Sequence, residues 1–179
     1  MKVEERKKLH LGEYPTPLEY MGNLTKKYGK GKLYIKRDDI AGPAFGGNKT
    51  RKLEYIMQEA VEEGYTAMLT VGGPQTNHGK TTVAAAVKLG LKPILVLGGK
   101  APDYLSGNLT LDAMMGADIV FAGDDMPGAV KATIERYEKQ GDKVYNLPAG
   151  GTAMTGVAGY IMAVPELMKQ LEEQNIHPK

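Results

Sequence analysis

Short apolar runs alternate with amphipathic stretches along this chain. Leu33-Tyr34-Ile35, just before the charged Lys36-Arg37-Asp38-Asp39, predicts a short strand. Apolar runs at residues 67–71, 93–97, 119–121 and 143–145 predict four more. These four run into Gly72-Gly73-Pro74, Gly98-Gly99, Ala122-Gly123, and Pro148 with Gly150-Gly151. Between them the spacing changes from continuous to three-and-four, the mark of one helix face. Leu53, Ile56, Met57, Ala60 and Val61 make one such face. Val83, Ala84, Val87 and Leu89 make a second, closed by Gly90. Leu109, Leu111, Met114 and Met115 make a third, closed by Gly116. Glycine just past a helix end suits the left-handed C′ position. Asp125 before Pro127 predicts the capped start of a helix to about Gln140. A last helix is predicted from Thr155 to Gln174, with Pro165 expected to kink or restart it by removing a backbone donor.

Strand, helix and strand at this spacing predict βαβ units, hence an α/β fold with a parallel sheet and flanking helices. The glycine-rich ends all follow strands, so they lie along the carboxyl edge, where open α/β sheets bind ligands. Residues 53–147 hold three consecutive units and look self-sufficient. The first fifty residues and the last stretch do not obviously belong to them, so the chain is expected to stop in mid-architecture.

Composition narrows the class. The chain has 179 residues, 42% apolar and 25% charged, which is ordinary for a globular protein. Its 23 basic and 21 acidic residues leave a formal charge of +2, no footprint for nucleic acid. There is no cysteine, which excludes disulfides, thiolate metal sites and cysteine nucleophiles. The charged opening Met1 to Lys8 is not expected to act as a signal peptide. The apolar runs fall far short of the ~20 residues that a membrane span needs. The reading is a cytoplasmic protein without membrane contact. His10, His78 and His177 are scattered and predict no metal site. Asp38-Asp39 and Asp124-Asp125 are expected to be solvated turn or cap residues.

Two segments could carry chemistry. In Gly46-Gly47-Asn48-Lys49-Thr50-Arg51-Lys52 the glycines permit a tight turn and close backbone approach. Asn48 is placed to cap the helix that follows, and Lys49 and Lys52 share a face. Cations at a helix start oppose its dipole, a conflict that a bound anion would resolve. The same residues also suit a plain capped turn with an exposed basic first turn. In Gly72-Gly73-Pro74-Gln75-Thr76-Asn77-His78-Gly79-Lys80, hydroxyl, amide and imidazole groups stand beside backbone N–H groups at a helix start. That set suits a carboxylate or the rim of an aromatic cofactor, and equally an N-capped helix after a turn. A Walker-type loop fails on spacing, because Pro74 stands where its first glycine should be. The dinucleotide pattern Gly-x-Gly-x-x-Gly is absent.

Taken in order, these segments resemble the fold-type-II pyridoxal-phosphate enzymes of the D-cysteine desulfhydrase and aminocyclopropanecarboxylate (ACC) deaminase family. Tyr14-Pro15-Thr16-Pro17-Leu18, residues 33–39, residues 46–54, Gln75-Thr76-Asn77-His78 and Pro148 to Thr152 with Gly156 and Gly159-Tyr160 carry the likeness. The resemblance implies the tryptophan-synthase-β-like architecture. Residues 1–50 would open the large domain, 51–150 form the small α/β domain, and 151–179 return to the large one. It implies pyridoxal 5'-phosphate as cofactor and a small amino acid as substrate. Lys49 would form the Schiff base and move the α-proton, Lys52 would approach the phosphate, and Asn77 would bond the ring oxygen. Thr76, Asn77 and His78 would hold the substrate carboxylate with backbone amides, with Asn48 also counted as substrate-binding and Thr76 as catalytic. Loss of a β-leaving group would then yield a 2-oxo acid and ammonia.

Two departures stand out. Thr76 replaces the family's usual serine, and its methyl is expected to crowd the site. His78 leans toward the desulfhydrase branch. The family's chains are also nearly twice as long. The expectation is one subunit of a split enzyme, whose partner chain supplies the other half, or else a homo-oligomer. The alternative is a fragment or binding domain without catalysis. Under the first reading, Tyr160, Ile161, Val164, Leu167, Met168 and Leu171 should face a partner.

Overall fold

A computed structural model describes residues 5–178. Part of the charged opening, Met1 to Glu4, and Lys179 lie outside the described residues. A parallel sheet is built from β3 (Ala67–Gly72), β4 (Lys92–Leu97), β5 (Asp118–Phe121) and β6 (Val144–Leu147), in spatial order β5-β4-β3-β6. Helices α3 (Asn77–Lys88), α4 (Gly107–Met114) and α5 (Met126–Glu138) make the three crossovers, as the spacing predicts. Gly90 and Gly116 take φ of 74° and 79° just past α3 and α4, the left-handed closure expected of them. Asp125 caps α5 by accepting the Gly128 N–H at 2.9 Å.

The central strands are mostly apolar and buried because helices cover both faces, with Thr70 as a buried polar exception. On one face Met68 and Leu147 pack with Leu53, Ile56, Met57 and Ala60 of α2 (Thr50–Glu62). On the other, Leu69, Ile94 and Val96 meet Met126, Val130 and Ile134 of α5. Leu95 and Leu97 pack with Val83 of α3 and Leu109 of α4.

The opening segment contributes no strand to the parallel sheet, in keeping with the reading that the first fifty residues do not belong to the βαβ units. The run at Leu33 does form a strand, β2 (Tyr34–Lys36), but it pairs antiparallel with β1 (Leu18–Tyr20) and stands apart from the parallel sheet. Between them lies α1 (Gly22–Tyr28). Neither β1 nor α1 is legible in the sequence pattern, since three residues are too few to show a period and α1 buries no residue.

Helix α6 (Met154–Glu173) passes through Pro165 as one helix and does not restart there. Pro165 is exposed, and the carbonyl left without a donor is that of half-exposed Ile161, where water can serve it. Helix α6 lies against α2 through Gly156 and Gly159. A Cβ on Gly159 would collide with the Arg51 backbone, and one on Gly156 would come within 2.9 Å of Ile56. The outer face of α6 is apolar and open, with Met154 88%, Val164 59% and Met168 59% exposed. No helix among the described residues is long and apolar enough to cross a membrane.

Candidate active site

The site lies where two helices begin at one end of the parallel sheet. Helix α2 enters from a loop of unusual backbone. Ala44, Phe45, Gly46 and Gly47 have φ of 51°, 64°, 61° and 122°. Left-handed alanine and phenylalanine each cost about 1–2 kcal/mol, strain of the kind held at functional sites. Gly46 has no alternative, because a Cβ there would strike the Asp39 and Ala41 carbonyls.

The loop delivers Lys49 to the N-cap position of α2, and no side chain caps that end. Asn48 is exposed and does not cap the helix, contrary to expectation, because the first helical turn begins one residue later than its side chain requires. Burial and the neighbouring Lys52 charge both lower the Lys49 ammonium from its ordinary range. Lys52 reaches back toward the Gly150 carbonyl, 3.4 Å away, in the turn after β6.

The third cation of this turn belongs to a different system. Arg51 is buried and turns away into Asp38 and Glu166, with contacts between 2.8 and 2.9 Å. It stacks 4.4 Å over the Tyr14 ring. Lys36 also pairs with Glu166, and Thr16 donates to Asp38. Burial raises the Glu166 carboxyl, but Arg51 and Lys36 overcome it and hold it near 2. Asp38 is therefore no solvated turn residue, although Asp39 remains exposed and pairs with Arg37. An internal carboxylate pair answers the Arg51 charge, which leaves Lys49 and Lys52 as the cations of this turn without a carboxylate partner among the described residues.

The second helix start is α3. Thr76 caps it by accepting the Gly79 N–H at 3.1 Å. Its hydroxyl proton stays available to donate. Its methyl fills the space that the missing side chain of buried Gly79 leaves open, beside Leu95. The extra methyl is thus absorbed inward and does not crowd the edge. The first amides of α3, those of Asn77 and His78, precede the helical ladder and find no acceptor among the described residues.

The His78 ring points inward, away from the edge. Thr70 Oγ1 donates to the Leu147 carbonyl at 3.0 Å, so at its 3.0 Å contact with His78 Nε2 it accepts. Burial, followed by the charges of Lys49 and Lys52, depresses the imidazole to about 4. His78 is a neutral anchor whose backbone, not its ring, reaches the site. The same electrostatic coupling ties the α3 start to Lys49 and Lys52 of α2.

The donor set suits a phosphorylated aromatic aldehyde: an amine of lowered basicity, a second lysine beside an uncapped helix start, an exposed amide side chain on Asn77, and a row of free backbone N–H groups. The model of the family described as "Pyridoxal-phosphate dependent enzyme" matches residues 9–177. The chain belongs to that family. A putative ACC deaminase of Thermotoga maritima is 39% identical over 168 residues, covering 92% of this chain and 53% of that one. The D-cysteine desulfhydrase of Salmonella typhi is 38% identical, with coverage of 93% and 52%. A crystal structure of an ACC deaminase homologue superposes with a TM-score of 0.84 at 38% identity, covering 94% of this chain and 52% of that one. The apo diaminopropionate ammonia lyase of Escherichia coli, at 19% identity and a TM-score of 0.63, shares the fold. Pyridoxal phosphate is the cofactor of this family. The chain spans about half the length of the curated relatives it matches.

Proposed function

We propose that this chain is the cofactor-lysine half of a pyridoxal-phosphate-dependent lyase or deaminase. It would act on a small amino acid by α,β-elimination and release a 2-oxo acid and ammonia. The observation that carries the reading is Lys49 at the uncapped start of α2, an amine of lowered basicity. When bound, pyridoxal phosphate supplies an electron sink for the carbanion at a substrate's α-carbon.

The residues of this chain hold their own share of the site. A lowered pKa gives Lys49 more of its neutral form, which it needs both to hold the cofactor and to accept a proton. Lys52 and the uncapped start of α2 attract the phosphate. Thr76 donates its free hydroxyl proton, and the Asn77 and His78 amides add two more donors, toward a substrate carboxylate. Asn48 lies beside Lys49 and completes that rim. Asn77 offers its side-chain amide to the cofactor's ring oxygen. His78, held neutral, keeps the α3 start in place without adding charge.

The open apolar face of α6 supports a second chain that completes the site. Native mass spectrometry of the protein from its own source tests this reading. A complex carrying pyridoxal phosphate and a second chain of similar size is expected. A bare 19.4 kDa monomer that takes up no added pyridoxal phosphate would overturn it in favour of a non-catalytic domain.

A further inference from the structure

Asn77 can serve a ring oxygen only if its amide presents NH₂, and not C=O, to the site. An asparagine side chain is free to turn either way, so something must choose. The choice is traceable through bonds to backbone groups, whose roles are unambiguous.

The segment before α4 docks on Gln75. The Ser106 carbonyl can only accept, and Gln75 Nε2 donates to it at 2.9 Å. The Asn108 backbone N–H can only donate, and Gln75 Oε1 accepts it at 2.9 Å. These two bonds fix the Gln75 amide. The Gln75 backbone carbonyl then accepts from Asn108 Nδ2 at 3.0 Å, which fixes the Asn108 amide in turn. The second proton of Asn108 Nδ2 goes to Asn77 Oδ1, 2.9 Å away. The oxygen of Asn77 is thereby held, and its Nδ2 is left outward with no acceptor among the described residues. Gly107 makes the docking possible, since at φ 55° a Cβ there would run into Gln75 Oε1.

We propose that Asn108 is a positioning residue: it turns the Asn77 amide so that its two N–H donors face the cofactor. The site is thereby set to recognise an oxygen acceptor on the ring. The inference rests on the reading of Asn77 given under Proposed function, and the test separates the two.

Asn108→Ala removes the donor to Asn77. It leaves the Asn108 N–H bond to Gln75 and the Gln75 bond to Ser106, so the docked segment is kept. Asn108→Asp places an acceptor where a donor stood and draws the Asn77 NH₂ toward itself. Side-chain amide NMR of the protein without cofactor reads the relay alone. The Asn77 amide pair is expected to shift in both variants, downfield in Asn108→Asp, while backbone signals of β3 and α3 beyond Gly79 stay put. Unmoved Asn77 signals would overturn the relay whatever binds at the site. Titration with pyridoxal phosphate, followed by its visible absorption, reads the cofactor part. About tenfold weaker binding and a displaced absorption band are expected in both variants, the scale of one ordered hydrogen bond. Shifted amide signals with unchanged binding and absorption would overturn the cofactor role of Asn108. A parent protein that takes up no pyridoxal phosphate would defeat the reading of the site, and with it the cofactor role, while the amide signals still decide the relay.

Discussion

Arg51 grips Asp38 with two nitrogens, Nε and Nη2, each 2.8 Å from a different carboxylate oxygen. Nη1 and the second N–H of Nη2 donate to the two oxygens of Glu166 on α6. One guanidinium two residues from Lys49 thus joins the turn after β2, the start of α2 and the middle of α6. Breaking a buried pair from one side leaves charges uncompensated, so Arg51→Ala should destabilise the protein by about 3 kcal/mol in urea unfolding. Arg51→Lys should recover little of this, because one ammonium cannot make the same forked contacts. Full recovery by lysine would show that net charge, and not the fork, is what holds the junction.

The same cluster makes the fold acid-sensitive. Glu166 has a folded pKa near 2 against an ordinary value of 4.5. A carboxyl depressed on folding contributes stability that is complete above 4.5 and is lost as pH falls toward 2. Glu166→Gln should therefore be less stable than the parent at pH 7, with the gap narrowing from pH 4.5 to pH 2. A gap that stays constant over that range would place the native charge elsewhere.

Much of this architecture is legible in the sequence, and the reasons are physical. The two central parallel strands are largely buried on both faces, so they read as nearly continuous apolar runs. Gly90, Gly116 and Asp125 announce helix ends because few residues tolerate those positions. Lys49 and Thr76-Asn77-His78 stand out because they combine glycine turns, helix starts and polar side chains. The ion cluster is hidden because its members, Lys36, Asp38, Arg51 and Glu166, are scattered along the chain and each alone resembles a surface charge. Asn108 is hidden for the same reason: its partners lie more than thirty positions away. The inward turn of the His78 ring is hidden because sequence cannot tell a side chain facing the site from one facing the core.

Asp112 carries a cost of its own. It is fully buried on α4, and neither carboxylate oxygen has a hydrogen-bond partner among the described residues. Burial raises it to about 6, with the Lys80 charge opposing. A carboxyl raised on folding favours the native state below its ordinary pKa, and that favour is lost as pH rises through 6. The stability of Asp112→Asn relative to the parent should therefore increase between pH 4 and pH 8. The expected gain is about 2 kcal/mol, since each tenfold change in proton affinity is worth ~1.4 kcal/mol. A flat difference across this range would mean that the carboxyl is solvated.

The α2–α6 contact depends on a missing side chain. At Gly159 a single methyl would enter the Arg51 backbone. Gly159→Ala should cost about 1–3 kcal/mol, the scale of overpacking, by thermal unfolding. It should also move the start of α2, and so weaken pyridoxal phosphate binding, whereas Ala163→Gly on the same helix should leave binding unchanged. Equal binding in Gly159→Ala and the parent would show that α6 does not set the position of Lys49.

The coupling between Lys49 and His78 gives a test that needs no substrate. His78 is depressed to about 4 chiefly by burial, and next by the positive charges of Lys49 and Lys52. Replacing Lys49 by alanine removes one of those charges and leaves the burial. The His78 titration, followed by ring-proton NMR, should therefore move upward in Lys49→Ala and remain below the ordinary 6.5. The same variant should lose the visible absorption of lysine-bound pyridoxal phosphate, and borohydride should no longer fix the cofactor to the peptide that holds residue 49. In Lys52→Ala the His78 titration should also rise, yet borohydride should still mark Lys49. The pair of variants separates the two lysines by chemistry, since both act on His78 through charge, whereas under the proposal only Lys49 bonds the cofactor. An unmoved His78 titration in Lys49→Ala would mean that the amine lies farther from the α3 start than the structure places it. Retained absorption there would assign the cofactor to another lysine.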